Sequence, residues 1–228
     1  MRYADTIAAV IPAVRPYTGV PEASLEATIT LTLDAITAGV PGDLVECGTW
    51  MGGSSFAMLL AQRHFLGRIE RPVWMYDSFQ GMSPPTPNDG QHAAGWWQSA
   101  EHLPRDKADM EYCIAPHTEV LTAVDRLGVA NHVRVFPGWL NDTMQGETPQ
   151  TVAVLRVDCD WYEPVKCVLD TLAPRVAFGG AIIIDDYYAW EGASLAAHEY
   201  LAEHKLPWPI KSVRDFHGAW ITRGPDKW

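Results

Sequence analysis

Residues 42–55 read GDLVECGTWMGGSS. Asp43–Gly48 is an apolar run of strand length broken by one Glu. Gly52-Gly53 then opens a helical pattern over Gly53–Phe65, with Phe56, Leu59, Leu60 and Phe65 at helical spacing. A strand that turns on glycines directly into a helix opens a βαβ unit, and the same alternation recurs along the chain. Further strands are predicted at Val73–Asp77, Val133–Phe136, Val152–Asp158 and Ala181–Asp185, the last introduced by Gly179-Gly180. Helices are predicted at His117–Leu127, at Glu163–Leu172 with Pro164 in its first turn, and at Gly192–Glu203. Two short strands near Trp208–Val213 and Gly218–Thr222 would close the sheet. The expectation is one α/β domain over residues 1–228, with a Rossmann-like, mostly parallel, seven-stranded sheet and helices on both faces.

Two segments interrupt the rhythm. Residues 1–40 read as a helical N-terminal extension. Residues 79–112 are long, rich in Pro, Gly, Asn and Asp, and carry Trp96-Trp97. A loop of that length in a compact domain is usually functional. It follows the second strand directly, so it is expected to act as a mobile lid over the sheet's carboxyl edge.

Composition narrows the function classes. The chain has 228 residues, 47% of them apolar, and a formal charge of −11. That balance argues against a nucleic-acid partner and against a peripheral anchor on anionic lipid. No apolar run is long enough for a membrane span. The first twenty residues lack the charged-then-apolar-then-cleavage order of a signal peptide. Cys47, Cys113, Cys159 and Cys167 show no zinc spacing. Cys47, Cys159 and Cys167 sit inside apolar segments, where buried free thiols in a reducing cytoplasm fit.

In open α/β sheets, ligands bind beyond the carboxyl ends of the strands, and four strand ends here carry marked residues. The first presents Glu46, Gly48, Gly52, Gly53 and Ser54. Its glycines would let the turn approach a ligand closely. The turn is neither a triphosphate loop, because it has no Lys, nor the dinucleotide pattern, because Thr49-Trp50 follow Gly48. The second strand ends in Asp77-Ser78, where a carboxylate can take both hydroxyls of a ribose. The fourth ends in Asp158 and Asp160, the fifth in Asp185 and Asp186. Carboxylates gathered at one edge repel unless a cation or proton is shared, and oxygen-only ligands select a hard ion. Helix capping is the alternative reading of these aspartates. Of the eight histidines, only His92, His102, His117 and His217 lie where they could reach an acceptor.

Taken in order, GDLVECGTWMGGS, YDSFQG, GWLNDT, LRVDCDWY and GGAIIIDDY resemble the macrocin O-methyltransferase family from about Pro41 to Thr222. The resemblance implies a class I methyltransferase fold and an S-adenosylmethionine- and Mg²⁺-dependent O-methyltransferase. The acceptor would be a sugar or glycosylated natural product in antibiotic biosynthesis. It implies that Glu46, Gly48 and Ser54 line the methionine and ribose part of the cofactor. Asp77 would bind the ribose, Ser78 the adenosine, and Gly138-Trp139 would flank the adenine. It implies Asp158, Asp185 and Asp186 as Mg²⁺ ligands, with Asp158 also beside the cofactor, and Asp160 as general base, a role Asp158 could take instead. It also implies a homo-oligomer. The missing Lys after Asp158 tilts the acceptor towards a sugar and away from a catechol, and a catechol or other non-sugar vicinal diol is the alternative acceptor. A nicotinamide oxidoreductase with Asp77 on the ribose is the rival enzyme class. It conflicts with the Trp50-containing turn and leaves the aspartates unexplained. Trp50, Trp96, Trp97, Trp139, Trp161 and Trp190 are expected to ring the pocket.

Overall fold

The computed structural model describes residues 2–100, 102–103, 112–213 and 217–225. Strands β1 (Asp43–Cys47), β2 (Val73–Asp77), β3 (Val133–Pro137), β4 (Val152–Val157), β5 (Val176–Ile184), β6 (Ile210–Ser212) and β7 (Ala219–Thr222) form one sheet in the order β3-β2-β1-β4-β5-β7-β6. The first five run parallel, and β7 lies antiparallel between β5 and β6. The chain winds outward from β1 in both directions, so the carboxyl ends of β1 and β4 flank the switch point where such sheets bind ligands.

The strand pattern follows from burial on two faces. In β1, Leu44 and Val45 face opposite sides and are both fully buried, as are Val154 and Leu155 in β4. One face packs on helices α1 (Tyr3–Val14), α2 (Glu22–Thr37), α3 (Gly53–Leu66) and α5 (His117–Leu127). The other packs on α7 (Tyr162–Leu172) and α8 (Glu191–Glu203), with the short α6 (Leu140–Thr143) at its margin. The predicted seven-stranded α/β sheet is therefore present, and residues 3–37 form the predicted helical extension.

Two expectations are corrected. β5 starts at Val176, five residues before the predicted start, and Gly179-Gly180 lie inside it. The reason is an irregular register: Val152 pairs with Val176 and Val154 already with Ala181, and the glycines absorb the extra chain. The segment after β2 is not simply a loop. A 3-10 turn at Pro87–Asp89 leads into helix α4 (Gly90–Ala100). Asp89 is fully buried and ties this turn to α7, accepting from the Thr86 N–H (2.7 Å), the Thr86 hydroxyl (2.9 Å) and the Tyr162 N–H (2.6 Å). Trp161 Nε1 also donates to the Ser83 carbonyl at 2.7 Å. Residues 101 and 104–111 of the expected lid lie outside the described residues.

Candidate functional site

A cavity of about 990 Å³ opens at the carboxyl edge between β1, β2, β4 and β5. Glu46, Gly48, Ser54, Asp77, Ser78, Trp139, Asp158, Asp160, Asp185 and Asp186 all line it. Gly138 stands just behind the wall, its N–H donating to the Asp77 carbonyl at 2.8 Å. None of the eight histidines is among the described lining residues. His92 and His117 instead pack on Trp190 and Phe79.

The glycine turn is shaped by the protein's own backbone. At Gly48 φ is +81°, and a Cβ there would sit 1.7 Å from the Asp158 carbonyl oxygen. At Gly53 a Cβ would lie 2.6 Å from the Tyr17 carbonyl and 2.4 Å from Thr18 Cβ. These glycines therefore admit β4 and the N-terminal segment, a packing task beside the ligand approach expected of the turn. Asp77 has a structural task as well. Its Oδ2 accepts the N–H groups of Thr49 (2.7 Å) and Trp50 (2.8 Å), and its Oδ1 that of Phe79 (2.6 Å). Burial raises its pKa against these three donors. Trp50, at φ +46°, is held in this turn. Thr49 Oγ1 and Trp50 Nε1 are buried there with no hydrogen-bond partner. Cofactor-type ligands rich in hydroxyls and ring nitrogens suit such a wall.

The acidic edge is organised by a residue the sequence reading passed over. Arg156 is fully buried in β4, level with Glu46 of β1 in the parallel register. Its guanidinium bonds Glu46 Oε1 (2.9 Å) and Asp158 Oδ2 (2.9 Å) and ion-pairs with Asp185. It also bonds Ser24 and Thr28 of α2, both at 3.2 Å. Glu46 is held on its other side by the Ser55 hydroxyl at 2.5 Å. Burial pushes Glu46 up to about 7. Burial works against the charge on Arg156 as well, but the facing carboxylates of Asp185, Asp158 and Glu46 outweigh it and keep the guanidinium charged. A signal was present in the sequence: a lone Arg in the apolar run VAVLRV must be paired if that run is buried.

Asp158, Asp185 and Asp186 converge as predicted, each offering an oxygen within 4.8 Å of the others. Burial, with repulsion from neighbouring carboxylates, raises Asp158 and Asp186 well above the usual range. Asp160, at φ +60°, accepts from Trp190 Nε1 at 3.2 Å, and its N–H donates to Asp186 at 3.3 Å. Burial pushes its carboxyl up to about 7, so it can hold or release a proton near neutrality. Arg156 is the cation this cluster finds within the described chain, and it faces more carboxylates than it can neutralise. The donor set therefore fits a hard divalent ion.

The predicted tryptophan ring is partly corrected. Trp50, Trp97, Trp139 and Trp161 line the cavity. Trp96 and Trp190 lie behind it, packed on Trp161 at 5.9 and 5.0 Å between ring centres. The N-terminal extension contributes Thr18, Gly19 and Val20 to the wall, and no motif marks these three residues in the sequence.

Known proteins bear on this geometry. The chain is 37% identical over 176 residues to a Streptomyces olivaceus protein named 8-demethyl-8-(2,3-dimethoxy-alpha-L-rhamnosyl)-tetracenomycin-C 4'-O-methyltransferase, covering 77% of this chain and 64% of that one. It is 36% identical to the mycinamicin III 3''-O-methyltransferase of Micromonospora griseorubida, covering 83% and 71%. The chain thus spans about two thirds of these relatives' length. Among solved structures, the O-methyltransferase NovP superposes with a TM-score of 0.77 at 32% identity, covering 92% of this chain and 83% of that one. Residues 11–223 match the family described as macrocin-O-methyltransferase (TylF), a span that takes in the whole sheet and every cavity residue named above, and the chain belongs to that family.

Proposed function

We propose that the protein is an S-adenosylmethionine- and Mg²⁺-dependent O-methyltransferase acting on a hydroxyl of a sugar or glycosylated natural product. One juxtaposition carries the reading: the β1 turn with Asp77 shares a single cavity with the convergent oxygens of Asp158, Asp185 and Asp186. The sugar-bearing names of the relatives support the acceptor class.

When bound, the cofactor supplies an activated methyl group, and Mg²⁺ lowers the pKa of a hydroxyl it touches. The chain's own residues do the rest. Asp158, Asp185 and Asp186 would hold the ion. Asp77 accepts three N–H bonds and keeps lone-pair capacity for the ribose hydroxyls. Glu46 and Ser54 would face the methionine end, Thr49 Oγ1 and Trp50 Nε1 would find partners on the cofactor, and Ser78 and Trp139 would border the adenine. Asp160 would take the acceptor's proton. Trp97 and Trp161 offer flat apolar faces to a sugar ring or aglycone. The free thiols of Cys47, Cys159 and Cys167 support a cytoplasmic setting, and no described helix is long and apolar enough to cross a membrane.

Calorimetry with S-adenosylhomocysteine, with NAD as the control, tests the cofactor class. Saturable binding of the first and none of the second is expected, and the reverse would refute it. Methyl transfer to a glycoside bearing a vicinal diol should stop in EDTA and return with Mg²⁺. Unchanged turnover in EDTA would remove the metal from the reading.

A further inference from the structure

We propose that Arg156, backed by Ser24, is a positioning residue that leaves Asp158 and Asp185 one unencumbered oxygen each, and thereby selects a small six-coordinate ion over a larger one. The inference rests on the metal reading above and concerns what the chain does to its own ligands.

A guanidinium has five N–H donors in a fixed fork, and here every one has a partner. Nε donates to Glu46 Oε1, Nη1 to Ser24 and Thr28, and Nη2 to Asp158 Oδ2 and Asp185 Oδ1. Ser24 Oγ donates in turn to Asp185 Oδ1 at 2.7 Å. Asp185 Oδ1 therefore receives two donors, and Asp158 Oδ2 receives one. The oxygens outside this network are Asp158 Oδ1 and Asp185 Oδ2. Arg156 cannot swing away to release the bonded pair, because it is fully buried between β1 and β5 with α2 above it.

Ion size then matters. Mg²⁺ takes six ligands in a tight octahedron and accepts single carboxylate oxygens. Ca²⁺ takes six to eight ligands and commonly draws both oxygens of a carboxylate. Two-oxygen capture of Asp185 would need the oxygen already held by Arg156 and Ser24. The Ser24 hydroxyl comes from the N-terminal extension, so that segment shapes the ion site without touching the ion.

Titrating MgCl₂ and CaCl₂ separately into the whole protein, with heat as the readout, tests this without any acceptor. The wild type should bind Mg²⁺ more tightly than Ca²⁺. Ser24→Ala frees one lone pair on Asp185 and should move the Mg²⁺/Ca²⁺ affinity ratio towards Ca²⁺ by about fivefold. Arg156→Lys, a point charge without the fork, should move it further. Thr28→Ala touches Arg156 but no ligand, and should leave the ratio within about twofold. If Arg156→Lys does not fold, Ser24→Ala and Thr28→Ala still decide. Equal changes in both affinities, with a constant ratio in Ser24→Ala, would reduce the network to charge balance and overturn the proposal. A wild type that binds neither ion would overturn the metal reading itself, and the proposal with it.

Discussion

The two halves of the carboxyl edge are built by different means. The turn after β1 is held through its backbone: the Thr49 and Trp50 N–H groups meet on Asp77, and glycines lie where neighbouring chain leaves no room for a Cβ. The acidic half after β4 and β5 is held by side chains from distant parts of the sequence. Arg156 and Ser24 fix Asp158 and Asp185, Glu46 and Thr28 occupy the other donors of Arg156, and Trp190 holds Asp160. A backbone-held turn tolerates little change of shape. A side-chain-held cluster tolerates change of shape but little change of charge.

The halves meet at Gly48, and that is where the comparison breaks most violently. Gly48→Ala places a methyl against the Asp158 carbonyl in a left-handed conformation. It should destabilise the protein by about 4 kcal/mol or more, read as loss of the cooperative melt. Asp77→Asn comes next. It keeps the size but offers one acceptor oxygen where three N–H groups converge. A stability loss of about 2 kcal/mol and a fall in S-adenosylhomocysteine affinity of at least about tenfold are expected from melting and calorimetry. Retained affinity at reduced stability would assign Asp77 to the turn alone.

The acidic half carries groups that respond to pH near neutrality. Glu46 and Asp160 both titrate near 7 in the folded chain, well above the ordinary range of about 4. The folded protein therefore binds more protons than the unfolded chain between about pH 4 and 7, and its stability falls as pH rises through that window. Without divalent ions, the melting temperature should drop by several degrees from pH 5.5 to pH 8. Mg²⁺ should raise it more at pH 8 than at pH 5.5. An Mg²⁺ effect independent of pH would separate the ion from this cluster.

This contrast also explains what the sequence could show. Strand positions were legible because the central parallel strands β1, β2 and β4, buried on both faces, are nearly continuous apolar runs bounded by Gly, Pro or Asp. The aspartates were legible because each directly follows such a run. The roles of Arg156, Ser24 and Thr28 were not, because their meaning depends on α2 crossing β4 more than a hundred residues away. Periodicity carries no record of such pairings. Asp77 was read as a ligand group alone, because its three N–H partners exist only once the turn has closed. Helix α4 escaped because GQHAAGWWQSA carries two glycines inside a segment rich in Pro, Gly, Asn and Asp, although Ala93, Trp96, Trp97 and Ala100 share one helical face. It packs through Trp96, which meets Trp161 and Trp190 edge-on.

That aromatic cluster sets the smallest of the expected effects and the sharpest test of side-chain control. The Trp190 indole lies 5.0 Å from His92 and from Trp161, and 5.6 Å from Trp96, while its N–H reaches Asp160 at 3.2 Å. One residue thus joins the packing beneath α4 to the carboxylate proposed as base. Trp190→Phe keeps a ring in that packing and removes only the donor. If the hydrogen bond orients Asp160, kcat should fall by about fivefold with acceptor KM unchanged, the cost of about one modest hydrogen bond. The same substitution made on an Asp160→Asn background should then cost no further kcat, because the base that the bond orients is already gone. A rise in acceptor KM at constant kcat would instead give Trp190 to the packing of α4. Asp160 would then be oriented by the turn before α7 and its contact with Asp186 alone, making this carboxylate the one member of the acidic half held, like the glycine turn, by backbone.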